Sequence, residues 1–270
     1  MNVAHSGLLK RNAALCLIDD FRRTLAATTT DADVRALADR ARARALALQG
    51  ADEDRPYFAK TICQLATSLR RAGWTRACVD LLEWTLDECT RDAFLFTELV
   101  MCQLAADRVD EAEAVLARAE AAGMVGEAMY AAFISSYGRA RRWADAQRVF
   151  DRATRAGVSG HFTYTALIDA YVRIGDLARA RSVFTEAASA GHLDTTAFSA
   201  LMRGYIRAGC AGEIARLGRQ ADRAGLMTDV MRQQITRILH RAGRTRQANR
   251  LRRRAAASAT GVASAGGPPV

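Results

Sequence analysis

Five arginines, Arg71, Arg139, Arg173, Arg207 and Arg241, fall at multiples of 34 residues from one another. A guanidinium is a planar fork of donors that is always charged and suited to phosphate oxygens, so a periodic row of them can hold a row of phosphates. The competing chemistry is plainer. A cation near a helix C-terminus offsets the negative end of the macrodipole, a gain of only about 0.3–1 kcal/mol each. Total charge leans towards the first reading. The net charge is +10, and residues 195–254 hold fourteen arginines against Glu213, Asp222 and Asp229, whereas residues 1–194 carry 25 basic and 26 acidic side chains. A concentrated basic block suits a polyanionic partner, although a solvated helix face would have the same composition.

No catalytic constellation accompanies these arginines. The four histidines, His5, His161, His192 and His240, are isolated. The chain has no HExxH, Walker loop, GxSxG or zinc-deaminase signature. Its six cysteines, Cys16, Cys63, Cys78, Cys89, Cys102 and Cys210, form no CxxC pair and no zinc-spaced cluster. They are expected to be reduced thiols filling helical cores in a reducing compartment. No metal, no cofactor and no enzymatic activity is expected. No run approaches the roughly 18 apolar residues of a membrane span, and no secretory signal with a long apolar stretch is present, so no membrane partner is expected.

The arginines need elements to position them, and the sequence repeats in a way that supplies those elements. Alanine and arginine, both good helix formers, are abundant, and only three prolines occur, two of them in the last three residues. Blocks of 34 residues start at Ala59, Ala93, Glu127, His161, Thr195 and Asp229 and align without a gap; the clearest reads HFTYTALIDAYVRIGDLARARSVFTEAASAGHLD. Column 4 holds Ile62, Phe96, Tyr130, Tyr164, Phe198 and Arg232. Column 7 holds Leu65, Leu99, Phe133, Leu167, Leu201 and Ile235, and column 11 holds Leu69, Gln103, Tyr137, Tyr171, Tyr205 and Leu239. These columns form one stripe of a first helix. Column 20 is mostly alanine, including Ala146 and Ala180, which lets a second helix pack closely on the first. Glycine is common in columns 15 and 31, as expected just past a helix end. Each unit therefore reads as a helix–turn–helix that must stack on its neighbours to bury its stripes. The predicted fold is an all-α array of about six such units. The sixth is weaker, because Arg232 stands in the aromatic column.

Residues 1–58 lie outside this register. Helical periodicity at 7–26 and 31–48 predicts an N-terminal helical pair or cap, followed by a loop at 51–57. Residues 59–254 form the array, and 255–270 (AAASATGVASAGGPPV) are expected to be a disordered tail.

Several helical repeats share this period, the tetratricopeptide repeat among them. That family needs a small residue at column 8, where this chain has Ala66, Val100, Ile134, Ile168 and Met202, mostly bulky. The segments TYTALIDAYVRIGDLARARSVFTEAASAG and MYAAFISSYGRARRWADAQRVFDRATRAG instead resemble the pentatricopeptide repeat. The shared pattern is an aromatic, a Leu-Ile-like pair, a tyrosine, a basic residue before glycine, then A-x-x-x-F and a final glycine. The resemblance runs over 59–254 and is strongest at 93–226. Units here are one residue shorter than usual for the family and lack the proline of its connecting loop.

The resemblance implies a right-handed α-solenoid, or superhelix, that binds single-stranded RNA and reads about one base per repeat. It implies a role in RNA metabolism (processing, stability or translation) with no catalysis of its own. In that family column 5 and the last position of a unit read the base. Here column 5 is Cys63, Thr97, Ala131, Thr165 and Ser199, and the last positions are Asp92, Gly126, Gly160, Asp194 and Thr228. Thr165 with Asp194 matches a familiar pair that favours guanine in the family. Ser199 would match it with a one-residue slip to Asp229, while Ala131 with Gly160 has no side chain to read a base edge. Column 13 contacts phosphates in the family, which assigns Arg71, Arg139, Arg173, Arg207 and Arg241 to that role. Column 2 sandwiches bases, and here it includes Phe94 and Phe162, which could stack on them; an aromatic at helical spacing is otherwise a core residue.

About five repeats read too few bases to mark a unique transcript, so a protein partner or self-association would supply the rest. The alternative function is a protein–protein interaction scaffold using the concave groove of the helices. The family's usual location is the mitochondrion or plastid. Asp19 and Asp20 among the N-terminal basic residues make a poor presequence, and a bacterial origin would place the chain in the cytoplasm.

Overall fold

The structure, a computed structural model, describes residues 3–48, 55–89 and 91–251, and the described residues contain helices and no strand. The chain divides into two compact units, Met1–Phe133 and Ile134–Val270. The first contains α1 (Val3–Ala27), α2 (Asp31–Leu48), α3 (Arg55–Arg71), α4 (Thr75–Glu88), α5 (Ala93–Ala105) and α6 (Val109–Ala121). The boundary falls within α7 (Glu127–Arg139). The second continues with α8 (Trp143–Arg155), α9 (His161–Ile174), α10 (Leu177–Ser189), α11 (Thr195–Arg207), α12 (Ala211–Arg223) and α13 (Asp229–Arg241). Residues 245–251 are again helical.

Helices α5, α7, α9, α11 and α13 begin at the first residue of their 34-residue blocks. Side-chain caps at three of these starts show why. Asp92 accepts from the Phe94 N–H at 2.8 Å, Asp194 from the Ala197 N–H at 2.7 Å and Thr228 from the Met231 N–H at 3.2 Å. Such caps satisfy backbone donors left without a partner in the first turn. The first block departs from this pattern. Its helix starts at Arg55, so the stretch 51–57, expected to be a loop, gives its end to α3. Pro56 is tolerated there because a first-turn residue needs no N–H donor.

One closure ends every first helix. The column 16 N–H bonds the column 11 carbonyl: Trp74 to Leu69 at 2.9 Å, Arg108 to Gln103 at 2.9 Å, Arg142 to Tyr137 at 2.8 Å, Asp176 to Tyr171 at 3.0 Å, Cys210 to Tyr205 at 3.0 Å and Arg244 to Leu239 at 2.8 Å. This closure requires the intervening column 15 residue to be left-handed. Gly175 has φ 85°, and the non-glycine residues Asp107 and Arg141 are held at φ 59° in the same place.

Packing follows the columns. Packed helix pairs are neighbours one or two places apart along the chain, such as α9 with α10 and α9 with α11. Leu65, Leu99, Phe133 and Leu167 of column 7 and Ala112, Ala146 and Ala180 of column 20 are completely buried. In the second compact unit, successive repeats meet through an aromatic pair. Phe150 and Phe184 of column 24 lie edge-on to Tyr164 and Phe198 of the next column 4, each with centroids 4.9 Å apart. In the sixth repeat the ring is replaced by the half-buried Arg232. Its Nη1 lies 3.6 Å from Asp222 and its Nε has no hydrogen-bond partner, a buried polar atom that is costly to leave unpaired.

In the N-terminal pair, Leu17, Ile18, Phe21 and Leu25 of α1 and Val34, Leu37, Ala38 and Ala41 of α2 are buried. Helix α1 packs on α3, as the first helices α3 and α5 or α9 and α11 do on each other, and α2 packs on α4. The expected tail at 255–270 lies outside the described residues. All six cysteines are free, with Cys78 and Cys102 buried, but Cys16 is exposed, contrary to the expectation that these thiols fill cores.

Candidate nucleic-acid interface

Columns 2, 5, 9 and 13 are separated by three, four and four residues, so they lie along one face of each first helix. Column 2 is exposed throughout: Lys60, Phe94, Ala128, Phe162, Thr196 and Val230. Phe94 is 76% exposed and Phe162 55%, so neither is a core residue. The Phe162 ring lies against that of His161, with 3.9 Å between centroids. Val230, 65% exposed, continues the column into the sixth unit. Sequence reasoning missed it, although the same 34-residue step would have found it.

Column 5 is half-buried from Cys63 to Ser199, and its partners differ from unit to unit. Thr165 Oγ1 donates to Asp194 Oδ1 at 3.3 Å, while that same oxygen caps α11. The first and last predicted reading positions of this unit are therefore in contact. Thr97 has only Gly126 at the end of its unit, and its hydroxyl donates instead to the Ala93 carbonyl of its own helix at 2.7 Å. Gly160 likewise leaves Ala131 without a polar partner at that position. Burial, then the carboxylates of Glu98 and Asp92, push the Cys63 thiol up to about 12, so Cys63 stays protonated at neutral pH beside the last residue of its unit. Thr228, not Asp229, occupies the capping place that Asp194 holds in the preceding unit. The one-residue slip that would have paired Ser199 with Asp229 does not occur.

The column 13 arginines are all exposed, and each sits in the last turn of a first helix. Their surroundings differ. Arg71, Arg139 and Arg241 have no side-chain partner among the described residues. Arg173 Nε donates to Asp169 Oδ2 at 2.6 Å, and Arg207 Nη2 donates to the Val172 carbonyl at 2.6 Å. For Arg207 the helix-end chemistry weighed at the outset is therefore real, but the helix it caps belongs to the preceding repeat. Between these two arginines lies an open pocket of about 300 Å³ floored by Val172, Ile174, Leu177 and Gly204. Column 9, absent from the sequence reading, places Asp169 and Arg203 on the same face, joined at 2.8 Å. Among the described residues no group of acids, histidines and cysteines is arranged to hold a metal ion, and no helix is long and apolar enough to cross a membrane.

Two consecutive hairpins, residues 128–158 and 162–192, match the family model of the PPR repeat. These two hairpins are similar to PPR repeats. The two matched stretches begin 34 residues apart and fall within the segment where the pattern is clearest. No curated protein matches the chain. Similar solved structures include the pentatricopeptide repeat protein PPR10 in complex with an 18-nucleotide psaJ RNA element, with 17% identity and a TM-score of 0.48 over 89% of this chain and 42% of that one. A triple cysteine-to-serine variant of PPR10 with the same RNA element gives the same values. PPR10 from maize matches at 20% identity and a TM-score of 0.36 over 69% of this chain and 32% of that one. The chain spans less than half the length of these structures.

Proposed function

We propose that this chain binds single-stranded RNA along the exposed face of its first helices and acts in RNA metabolism without chemistry of its own. One helix carries the reading. On α9 the exposed Phe162, the Thr165–Asp194 pair and the exposed Arg173 follow one another along one face. They supply a ring to stack on a base, donors and acceptors for a base edge, and a cation for the backbone. The exposed arginines of the same column support a grip on phosphates that carries no base information.

The test is a titration against mixed-sequence single-stranded RNA at low and moderate salt. Arg139 and Arg241 are the residues to change, because neither is engaged within the described protein. Replacing both with Glu is expected to weaken binding to all sequences alike and to flatten the log affinity–log salt slope by roughly 1.4, two phosphate contacts at about 0.7 each. If the parent binds no single-stranded RNA at low salt, the scaffold reading replaces this one.

A further inference from the structure

One acid interrupts the arginine face of the second compact unit. Helices α9 and α11 pack on each other, and Asp169 lies at column 9 of α9, one turn before Arg173. Its Oδ2 accepts from Arg173 Nε at 2.6 Å and its Oδ1 from Arg203 Nη2 at 2.8 Å. Arg203 is the column 9 residue of α11, and Arg207 follows it one turn later. The cluster therefore has three guanidiniums and one carboxylate, and its outer edge meets water: the side chains of Arg173 and Arg203 are 48% and 57% exposed. Burial opposes ionisation of Asp169, yet the hydrogen bonds and charges of the two arginines hold it below the usual carboxylate range, so it is charged at neutral pH. Column 9 is otherwise Thr67, Met101, Ser135, Arg203 and Arg237, none of them acidic.

We propose that Asp169 is an internal counter-ion that competes with RNA phosphates for Arg173 and Arg203, and so limits how tightly the fourth and fifth repeats hold the backbone. The proposal rests on the RNA-binding reading and deepens it. A phosphodiester approaching these guanidiniums meets a fixed negative charge and finds one donor of each arginine already taken. Elsewhere in the column no carboxylate opposes it. Asp169 thus makes one stretch of the array a weaker clamp on the backbone than its arginine count implies, and it adds Arg203 to the residues that face the ligand.

Asp169→Asn removes the charge and keeps the shape. Mixed-sequence single-stranded RNA is expected to bind the variant about three- to tenfold more tightly at ~50 mM salt. The salt slope should steepen by roughly 0.7–1.4, one or two added phosphate contacts, with base preference unchanged. In an Arg203→Gln background the gain should shrink, because one of the two competing partners is gone. Should Asp169→Asn not fold, Asp169→Ser, which installs the residue type that Ser135 supplies one unit earlier in this column, provides the same comparison. Unchanged or weaker binding by a variant with the parent's circular dichroism overturns the counter-ion role and leaves the RNA-binding reading intact. A parent that binds no RNA overturns both.

Discussion

Arg207 reaches back from the end of α11 and donates to the carbonyl of Val172 in the last turn of α9, with 2.6 Å between Nη2 and oxygen. Arg241, in the same column one unit on, has no such partner among the described residues. Two arginines that are equivalent by spacing are therefore unequal in the fold. Arg207→Ala is expected to lower stability by about 0.5–1.5 kcal/mol, a charged hydrogen bond at a helix end. Arg241→Ala should stay within about 0.5 kcal/mol of the parent. Urea denaturation of the two variants compares them directly; equal losses would show that the Val172 contact contributes nothing.

Gly138 has no room for a side chain. A Cβ there would lie 2.8 Å from the Cβ of Ala170 and 3.1 Å from its Cα. The second of those atoms is backbone and cannot swing aside. Gly138→Ala should therefore force neighbouring first helices apart and cost about 1–3 kcal/mol. Gly126 has open space around its Cβ direction and no positive φ, so Gly126→Ala is the matched control and should be neutral or slightly stabilising in the same denaturation experiment.

Arg141 sits at φ 59° in a turn where Gly175, Gly209 and Gly243 hold the equivalent place. The left-handed conformation costs a residue with a Cβ roughly 1–2 kcal/mol, offset in part by the greater freedom of glycine in the unfolded chain. Arg141→Gly is expected to stabilise by about 0.5–1 kcal/mol, raising Tm by a few degrees in a calorimetric scan. A lower Tm would mean that the Arg141 side chain contributes more than its backbone strain costs.

Thr165 and Asp194 predict a change in selectivity rather than affinity. Thr165→Asn replaces a hydroxyl with an amide facing the same carboxylate. Selection from a randomised RNA pool should show altered preference at a single base, with total affinity close to the parent's. Thr97→Asn, in a unit whose last residue is Gly126, should alter preference less. A uniform loss of affinity for every sequence would place Thr165 in the framework instead of the reading face.

Much of the architecture was legible beforehand because the repeat carries its own contact information. Columns 4, 7 and 11 spelled out the buried stripe, the alanines of column 20 marked the close helix crossing, and the block starts anticipated the first residues of α5, α7, α9, α11 and α13. The first block was misjudged at its start because no cap is needed where Pro56 can occupy the first turn of a longer α3. Column 2 was harder to read. An aromatic in a helix is ordinarily buried, and only the packed neighbours reveal that Phe94 and Phe162 lie on the open side of theirs.

The sequence by itself determined the helical hairpin, its period and the face on which each column lies. Those properties follow from 3.6-residue periodicity and from turns closed by hydrogen bonds five residues apart. Which partner each polar side chain takes was decided only in three dimensions. Thr97 turns to its own helix while Thr165 meets Asp194 29 residues away. Arg203 crosses 34 residues to Asp169, and Arg207 crosses 35 to a backbone carbonyl. Hydrogen bonds and ion pairs act over about 3 Å. The choice among equally spaced candidates therefore depends on how closely neighbouring helices approach, a distance that packing sets and that periodicity alone does not specify.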